Sequence, residues 1–295
     1  NIPIFAVKRF KKYADVAILC GGSKEDLFGK KNKLYKDSVI DNEKVLGQGP
    51  YFAQFFNTVD SFDTHVRISS YHLYMEKFAA LNNHTAIISA GWDPGTFSLE
   101  RVLADAFIPK AVHYTFWGPG VSQGHSDAVR QIKGVVDARQ YTLPIKKTID
   151  RVRTGKNPKL KTKEKHTRLV YVVIEKGAER KRIKQEIRTM PNYFADYETK
   201  VIFVSEEKLK REHSNYPHAG FVLANAPKSA EHKALIEYRC DWGSNPDATA
   251  NILVACARAC YRLNRMKMLG AFTMLDIPPA FYSLHPRKKL LKNYM

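Results

Sequence analysis

The chain has 295 residues, 44% of them apolar and 12% aromatic, which excludes a disordered or low-complexity chain and allows one large or two ordinary domains. A formal charge of +19 is spread through polar stretches such as 156–165 and 176–184, with no RRM, KH, helix-turn-helix or finger pattern, so it reads as a solvated basic surface that favours anions, and nucleic acid is not an expected partner. No run of about 18 apolar residues and no signal-peptide layout at Asn1–Phe5 is present, so no membrane partner is expected and the cytoplasm is the expected location.

Residues 15–20 form a short apolar run that ends at Gly21-Gly22-Ser23, the layout of a buried parallel strand entering a glycine turn. The stretch 27–46, rich in lysine and asparagine, reads as a surface insertion or loop. Helices are expected at 48–57 and 71–81, and a second strand at 85–89 leads through Gly91-Trp92-Asp93-Pro94-Gly95 into a helix over 96–107. Strand, turn and helix repeated in this order predict a doubly wound α/β unit.

Beyond residue 112 the pattern shifts. Strands are expected at 113–117, 138–143, 169–175, 200–204, 220–224 and 234–240, interleaved with helices at 126–133, 178–190 and 206–212. This predicts an α+β domain on a largely antiparallel or mixed sheet. Asn245-Pro246 opens a long helix to 265 whose apolar face is expected to return to the first domain. The residues from Pro286 onward read as an exposed or frayed basic end. The cysteines, Cys20, Cys240, Cys256 and Cys260, have no CxxC spacing and read as reduced, small core residues.

Ligands in open α/β sheets lie beyond the carboxyl ends of the strands, so the turns 20–23 and 91–95 are candidate cofactor contacts, although a Gly-Gly turn is also ordinary loop chemistry. Residues 58–65 hold two carboxylates and an imidazole, which favours capping and turn bonding over a metal site. In 118–127, backbone amides and hydroxyls before a helix form either an anion cradle or a cap at Ser126. Thr142, Arg168 and His218 are the residue types found around a bound carboxylate, but spacing does not show that they meet.

Gly-Trp-Asp-Pro-Gly at 91–95, Phe-Trp-Gly-Pro-Gly-Val-Ser-Gln-Gly-His-Ser-Asp at 116–127, Thr-Met-Pro-Asn-Tyr-Phe at 189–194 and Gln-Gly-Pro-Tyr-Phe-Ala-Gln at 48–54 resemble the meso-diaminopimelate dehydrogenase family. The resemblance implies an NADP-dependent oxidation of the D-centre of meso-2,6-diaminopimelate in diaminopimelate and lysine biosynthesis, by a homodimer. It implies a partial Rossmann-like doubly wound domain over 1–111, joined by about 243–295, and an α+β substrate-binding and dimerisation domain with a mixed sheet over 112–242.

Carried over by position, Asp93 and Asp63 are the implied catalytic carboxylates near the reacting centre. Trp92, Trp117, Ser122, Gln123, Gly124 and Asp127 line the substrate pocket. Thr142, Arg168, His218 and Asn245 recognise the far, L-configured end. Implied NADP contacts are Cys20, Gly21, Gly22, Ser23, Trp92, Asp93, Pro94, Gly95 and Asn245, and no metal is implied. Family members begin with a strand, a GxGxxG-type turn and a second strand, which these residues do not contain, so the resemblance implies a truncated cofactor domain. A broad D-amino-acid dehydrogenase and a non-catalytic, ligand-binding remnant are the alternatives.

Overall fold

The computed structural model describes residues 13–28 and 47–295. The readings made for residues 1–12 and for the main part of the 27–46 insertion lie outside the described residues. The chain runs β1 (Val16–Leu19), α1 (Gln48–Ala53), β2 (Asn57–Asp60), α2 (Ile68–Leu81), β3 (Thr85–Ile87) and α3 (Phe97–Phe107). It continues through β4 (Val112–Trp117), β5 (Gly120–Val121), α4 (Gln123–Arg130), β6 (Val135–Pro144), α5 (Lys146–Arg153), α6 (Thr162–Lys165) and β7 (His166–Ile174). Then come α7 (Arg180–Thr189), β8 (Glu198–Phe203), α8 (Glu206–His213), β9 (His218–Asn225), β10 (Leu235–Trp242), α9 (Asn245–Arg265), β11 (Gly270–Phe272) and α10 (Arg287–Tyr294).

Two compact units result, Asn1–Leu99 with Thr249–Met295, and Glu100–Ala248. In the first, β1, β2, β3 and β11 make a parallel sheet in that order. Successive strand residues face opposite sides, so Ala86 and Ile88 join one apolar cluster while Val59, Ile87 and Ala90 join another. Tyr71, Met75, Phe78 and Ala79, spaced to share one face of α2, close the first cluster. Leu253, Cys256, Ala259, Cys260 and Leu263 of α9 close the second. Helices on both faces of a parallel sheet make this unit doubly wound. Asp247 in the first turn of α9 and Arg262 and Arg265 in its last complement the helix dipole, which is why both ends of that helix were readable.

Several elements depart from the sequence reading. The helix expected over 48–57 stops at Ala53, and Asn57–Asp60, read as the end of that helix and the start of the polar segment 58–65, is a buried strand. Leu27 and Phe28, placed in the surface insertion, are core residues. Cys256 and Cys260 are buried as expected, but Cys20 is exposed on the turn after β1. The basic C-terminal end is exposed yet helical in α10.

In the second unit, β5-β6-β7-β8 is a mixed sheet: β6 is antiparallel to β5 and β7, and β7 is parallel to β8. A separate antiparallel sheet, β10-β9-β4, stands in the same unit. Val129 of α4 and Ile183 and Ile187 of α7 cover Ala138, Val170, Val172 and Val201 of the mixed sheet. Among the described residues, no helix is long and apolar enough to cross a membrane.

Candidate active site

Because β1, β2 and β3 are parallel, their carboxyl ends share one edge, and the turns that follow bring Cys20–Ser23, Ser61–Asp63 and Ser89–Gly95 to it. Asp63 and Ser23 are tied reciprocally: the Ser23 hydroxyl donates to Asp63 Oδ1 at 2.6 Å and accepts from the Asp63 amide at 3.0 Å. The turn after β3 is anchored by the Ala90 amide, which donates to the Asp60 carbonyl at 2.8 Å. Trp92 packs edge-on against Phe97 at 5.8 Å between centroids, and Asp93 follows it on the same turn. Asp63 and Asp93 therefore stand on turns after neighbouring strands.

This edge fits the nicotinamide end of a dinucleotide. Two strand turns offer glycine backbone, and the buried Ser89 hydroxyl has no hydrogen-bond partner among the described residues. Cys20–Ser23 and Trp92–Gly95 would hold such a group, and the side chains near it are carboxylates and an indole.

Within the second unit the register assembles what spacing left open. Gly120 pairs with Thr142, and Thr142 pairs with Arg168 across β5, β6 and β7. A side chain at Gly120 would lie 2.8 Å from the Cα of His218 and 3.2 Å from its Nδ1, so only glycine lets the start of β9 approach. Thr142, Arg168 and His218 thus gather around one short strand. The Asn245 amide donates to the carbonyl of Tyr216, two residues before His218, at 2.6 Å.

Arg168 is 6% exposed. Its Nη1 donates to the Thr142 hydroxyl, and its guanidinium lies 4.0 Å over the Tyr197 ring. Its Nε has no hydrogen-bond partner, and no carboxylate among the described residues pairs with it. Burial holds the guanidinium below its usual value. Gln140, fully buried two residues before Thr142, donates to the Thr142 hydroxyl at 3.3 Å.

Two histidines that were not singled out as site residues border this group. His166 accepts the Trp117 amide at 2.8 Å and stacks on the Trp117 indole, with centroids 5.3 Å apart. His125 shares a 2.8 Å hydrogen bond with Ser122 and meets Tyr193 and Phe194 edge-on. Burial, reinforced by Arg168, lowers His125 to about 4 and His166 to about 3. Burial also lowers His218. The imidazoles are therefore neutral and leave Arg168 as the charged member of this group. The signal for Gln140 and His166 was alternation, since each lies two residues from Thr142 or Arg168 on the same strand face.

The remaining predicted residues divide. Ser122, not Ser126, occupies the N-cap position of α4, and Ser126 instead accepts the Gln140 amide at 2.9 Å, locking the helix to β6. Gln123 and Gly124 are exposed on the first turn of α4, with open space around Gly124. Asp127 is turned to solvent and paired with Arg130, so the geometry does not bring it to Arg168.

The parallel-strand edge of the first unit, with its carboxylates, is that of a Rossmann-like α/β unit, and in the second unit the buried Arg168 guanidinium has the chemistry to take an anion. Comparison with known proteins narrows this. Residues 91–244 match the family model for the diaminopimelic acid dehydrogenase C-terminal domain. The meso-diaminopimelate D-dehydrogenase of Ureibacillus thermosphaericus is 50% identical over 91% of this chain and 77% of its own length. The crystal structure of a sixfold-substituted meso-diaminopimelate dehydrogenase from Clostridium tetani with DAP superposes with a TM-score of 0.87 at 41% identity, covering 99% of this chain and 85% of that one. An engineered D-amino acid dehydrogenase bound to NADP+ gives 0.81 at 35% identity, with the same coverage. The chain belongs to the meso-diaminopimelate D-dehydrogenase family.

Proposed function

We propose that the protein oxidises the D-configured centre of meso-2,6-diaminopimelate with NADP, giving L-2-amino-6-oxopimelate and ammonia, and catalyses the reverse amination in diaminopimelate and lysine biosynthesis. The observation that carries this reading is Arg168, a buried guanidinium beside Thr142 with its Nε unpaired and no carboxylate partner among the described residues. Burying an unpaired charge costs several kcal/mol, and a substrate carboxylate supplies the missing partner in the bidentate geometry that guanidinium favours. Kinship with the D-dehydrogenases supports the substrate, and the NADP+ bound to the engineered relative supports the cofactor.

On this reading Thr142, Arg168, His218 and Asn245 take the L-configured end. Trp117, Ser122, Gln123 and Gly124 border the substrate chain, with Trp92 beside the reacting centre. Asp93, aided by Asp63, holds the amine of that centre. Cys20–Ser23 and Trp92–Gly95 would hold the nicotinamide, which would supply a hydride acceptor for oxidation of the D-centre amine to an imine that water hydrolyses. The chain supplies orientation: fixing the remote carboxylate at Arg168 selects which end of a meso compound is presented for oxidation. Neutral His125, His166 and His218 add polarity without a second cation to compete for the carboxylate. A homodimer acting in the cytoplasm belongs to the same proposal, and the four free cysteines suit a reducing compartment.

The test is NADPH formation by the purified chain with NADP and meso-diaminopimelate, against the LL isomer and D-alanine. Turnover confined to the meso compound is expected. Comparable rates on D-alanine would replace this reading with a broad D-amino-acid dehydrogenase.

A further inference from the structure

Asp60, the last residue of β2, has its side chain fully buried, and the reaction does not use it. Its Oδ1 accepts the Phe62 amide at 3.0 Å and the Ser89 amide at 3.1 Å, while its Oδ2 accepts the Tyr71 hydroxyl at 2.6 Å. One carboxylate therefore ties the turn after β2, the turn after β3 and α2 together. Tyr71 is held in place by Phe62, whose ring stacks on it with centroids 4.1 Å apart. Gly49 of α1 completes the packing, since a side chain there would lie 2.1 Å from the Tyr71 hydroxyl.

The turn so held needs a restraint. Ser89 has φ of 56°, in the left-handed region that serine adopts only when its surroundings fix it. Its amide is the group bonded to Asp60, and Trp92 and Asp93 follow within the same turn. On the other turn, Phe62 precedes Asp63. We propose that Asp60 is a positioning residue, a carboxylate clamp that fixes the turns carrying Asp63 and Trp92–Asp93 to one another. The proposal rests on the dehydrogenase reading for the importance of those turns.

The opposite end of β2 supplies the control. Asn57 also joins neighbouring segments, donating to the Asp15 carbonyl at 2.9 Å and accepting the Thr85 amide at 2.9 Å. It does so at the amino end of the sheet, away from the turns. Both clamps belong to the same buried strand, so a structural role alone affects both ends alike, whereas positioning makes the carboxyl end matter for turnover.

Burial pushes the Asp60 carboxyl up to about 6, opposed by the Tyr71 hydroxyl and the Phe62 and Ser89 amides. A neutral replacement thus removes a charge that burial already penalises, which keeps the fold within reach of mutation.

The experiment compares the full chain with Asp60→Leu, Asp60→Asn, Tyr71→Phe and Asn57→Ala, reading amide hydrogen exchange, thermal midpoint, and kcat and KM for meso-diaminopimelate. Asp60→Leu is expected to expose the Phe62 and Ser89 amides to exchange and to lower kcat about a hundredfold, the scale of a misplaced reacting geometry. Asp60→Asn, which keeps one acceptor, and Tyr71→Phe, which removes one donor, are each expected to lower kcat about tenfold with KM changed less than about threefold. Asn57→Ala is expected to lower the midpoint while kcat stays within about twofold.

If Asp60→Leu does not fold, Asp60→Asn decides: a kcat loss at an unchanged midpoint supports the clamp, and an unchanged kcat overturns it. A kcat loss in Asn57→Ala as large as in Asp60→Asn also overturns it. Wild-type protein without turnover, but with Phe62 and Ser89 protected through Asp60, refutes the dehydrogenase reading and leaves the clamp standing.

Discussion

Asp60 and Arg168 are buried charges, one in each unit, and the fold treats them differently. Asp60 receives three donors from its own chain, two amides and a hydroxyl, that occupy both oxygens. Arg168 has a hydroxyl and an aromatic face, but its Nε is unpaired and no carboxylate of the described residues reaches it. A buried charge supplied with partners by the fold is part of the scaffold. On the proposed function, a buried charge left incomplete at a register of polar strand residues is kept for the substrate, and the cost of leaving it so is recovered on binding.

The comparison breaks most visibly in the ligand-free protein. Arg168→Met is expected to raise stability to unfolding, by up to about 4 kcal/mol, since a flexible apolar chain replaces an unpaired buried cation. Calorimetric or denaturant unfolding of the two proteins checks this, and a marked loss of stability would mean that Arg168 is satisfied internally. Ligand binding sharpens the same point. Meso-diaminopimelate at a hundred times its Kd is expected to stabilise the wild type by about 2.7 kcal/mol, and the same concentration is expected to leave Arg168→Met almost unshifted.

Acid tests the neutral histidines beside Arg168. An unfolded histidine titrates near 6.5, whereas His166 titrates near 3 and His125 near 4 in the fold. The stability they contribute by staying neutral is fully present above pH 6.5 and is lost progressively as the pH falls toward those lower values. The denaturant midpoint is expected to drop between pH 6.5 and 4, and His166→Gln is expected to flatten that drop. The smallest effect is expected at Asp127, whose solvent-facing pair with Arg130 is worth under about 1 kcal/mol. Asp127→Asn is expected to change kcat/KM for meso-diaminopimelate less than about threefold, and a larger loss in the NADPH assay would return Asp127 to the site.

How much was legible depended on where the signal lay. The doubly wound unit and the boundaries of α9 followed from local pattern: apolar strand runs entering glycine turns, and Asn245-Pro246 opening a helix with arginines at its end. The strand Asn57–Asp60 was missed because two of its four residues, Asn57 and Asp60, have turn-like polarity, and only their tertiary hydrogen bonds make them tolerable in the core. Thr142, Arg168 and His218 were nameable by residue type and by their positions in the family resemblance, but their meeting depends on cross-strand register and on Gly120 admitting His218, neither of which is local in sequence. A cap at Ser126 stayed one of two open readings because a serine before an apolar helix face has the same appearance whether it caps the helix or, as here, accepts a neighbouring strand's amide.

The most direct test of the account is the ratio of kcat/KM for meso-diaminopimelate to that for D-alanine, measured by NADPH formation in the wild type and in Arg168→Met. Loss of a charge-assisted pair of hydrogen bonds at the remote carboxylate is expected to lower that ratio by about a hundredfold or more, with D-alanine turnover little reduced. An equal loss on both substrates would contradict the assignment of Arg168 to the far end of the substrate.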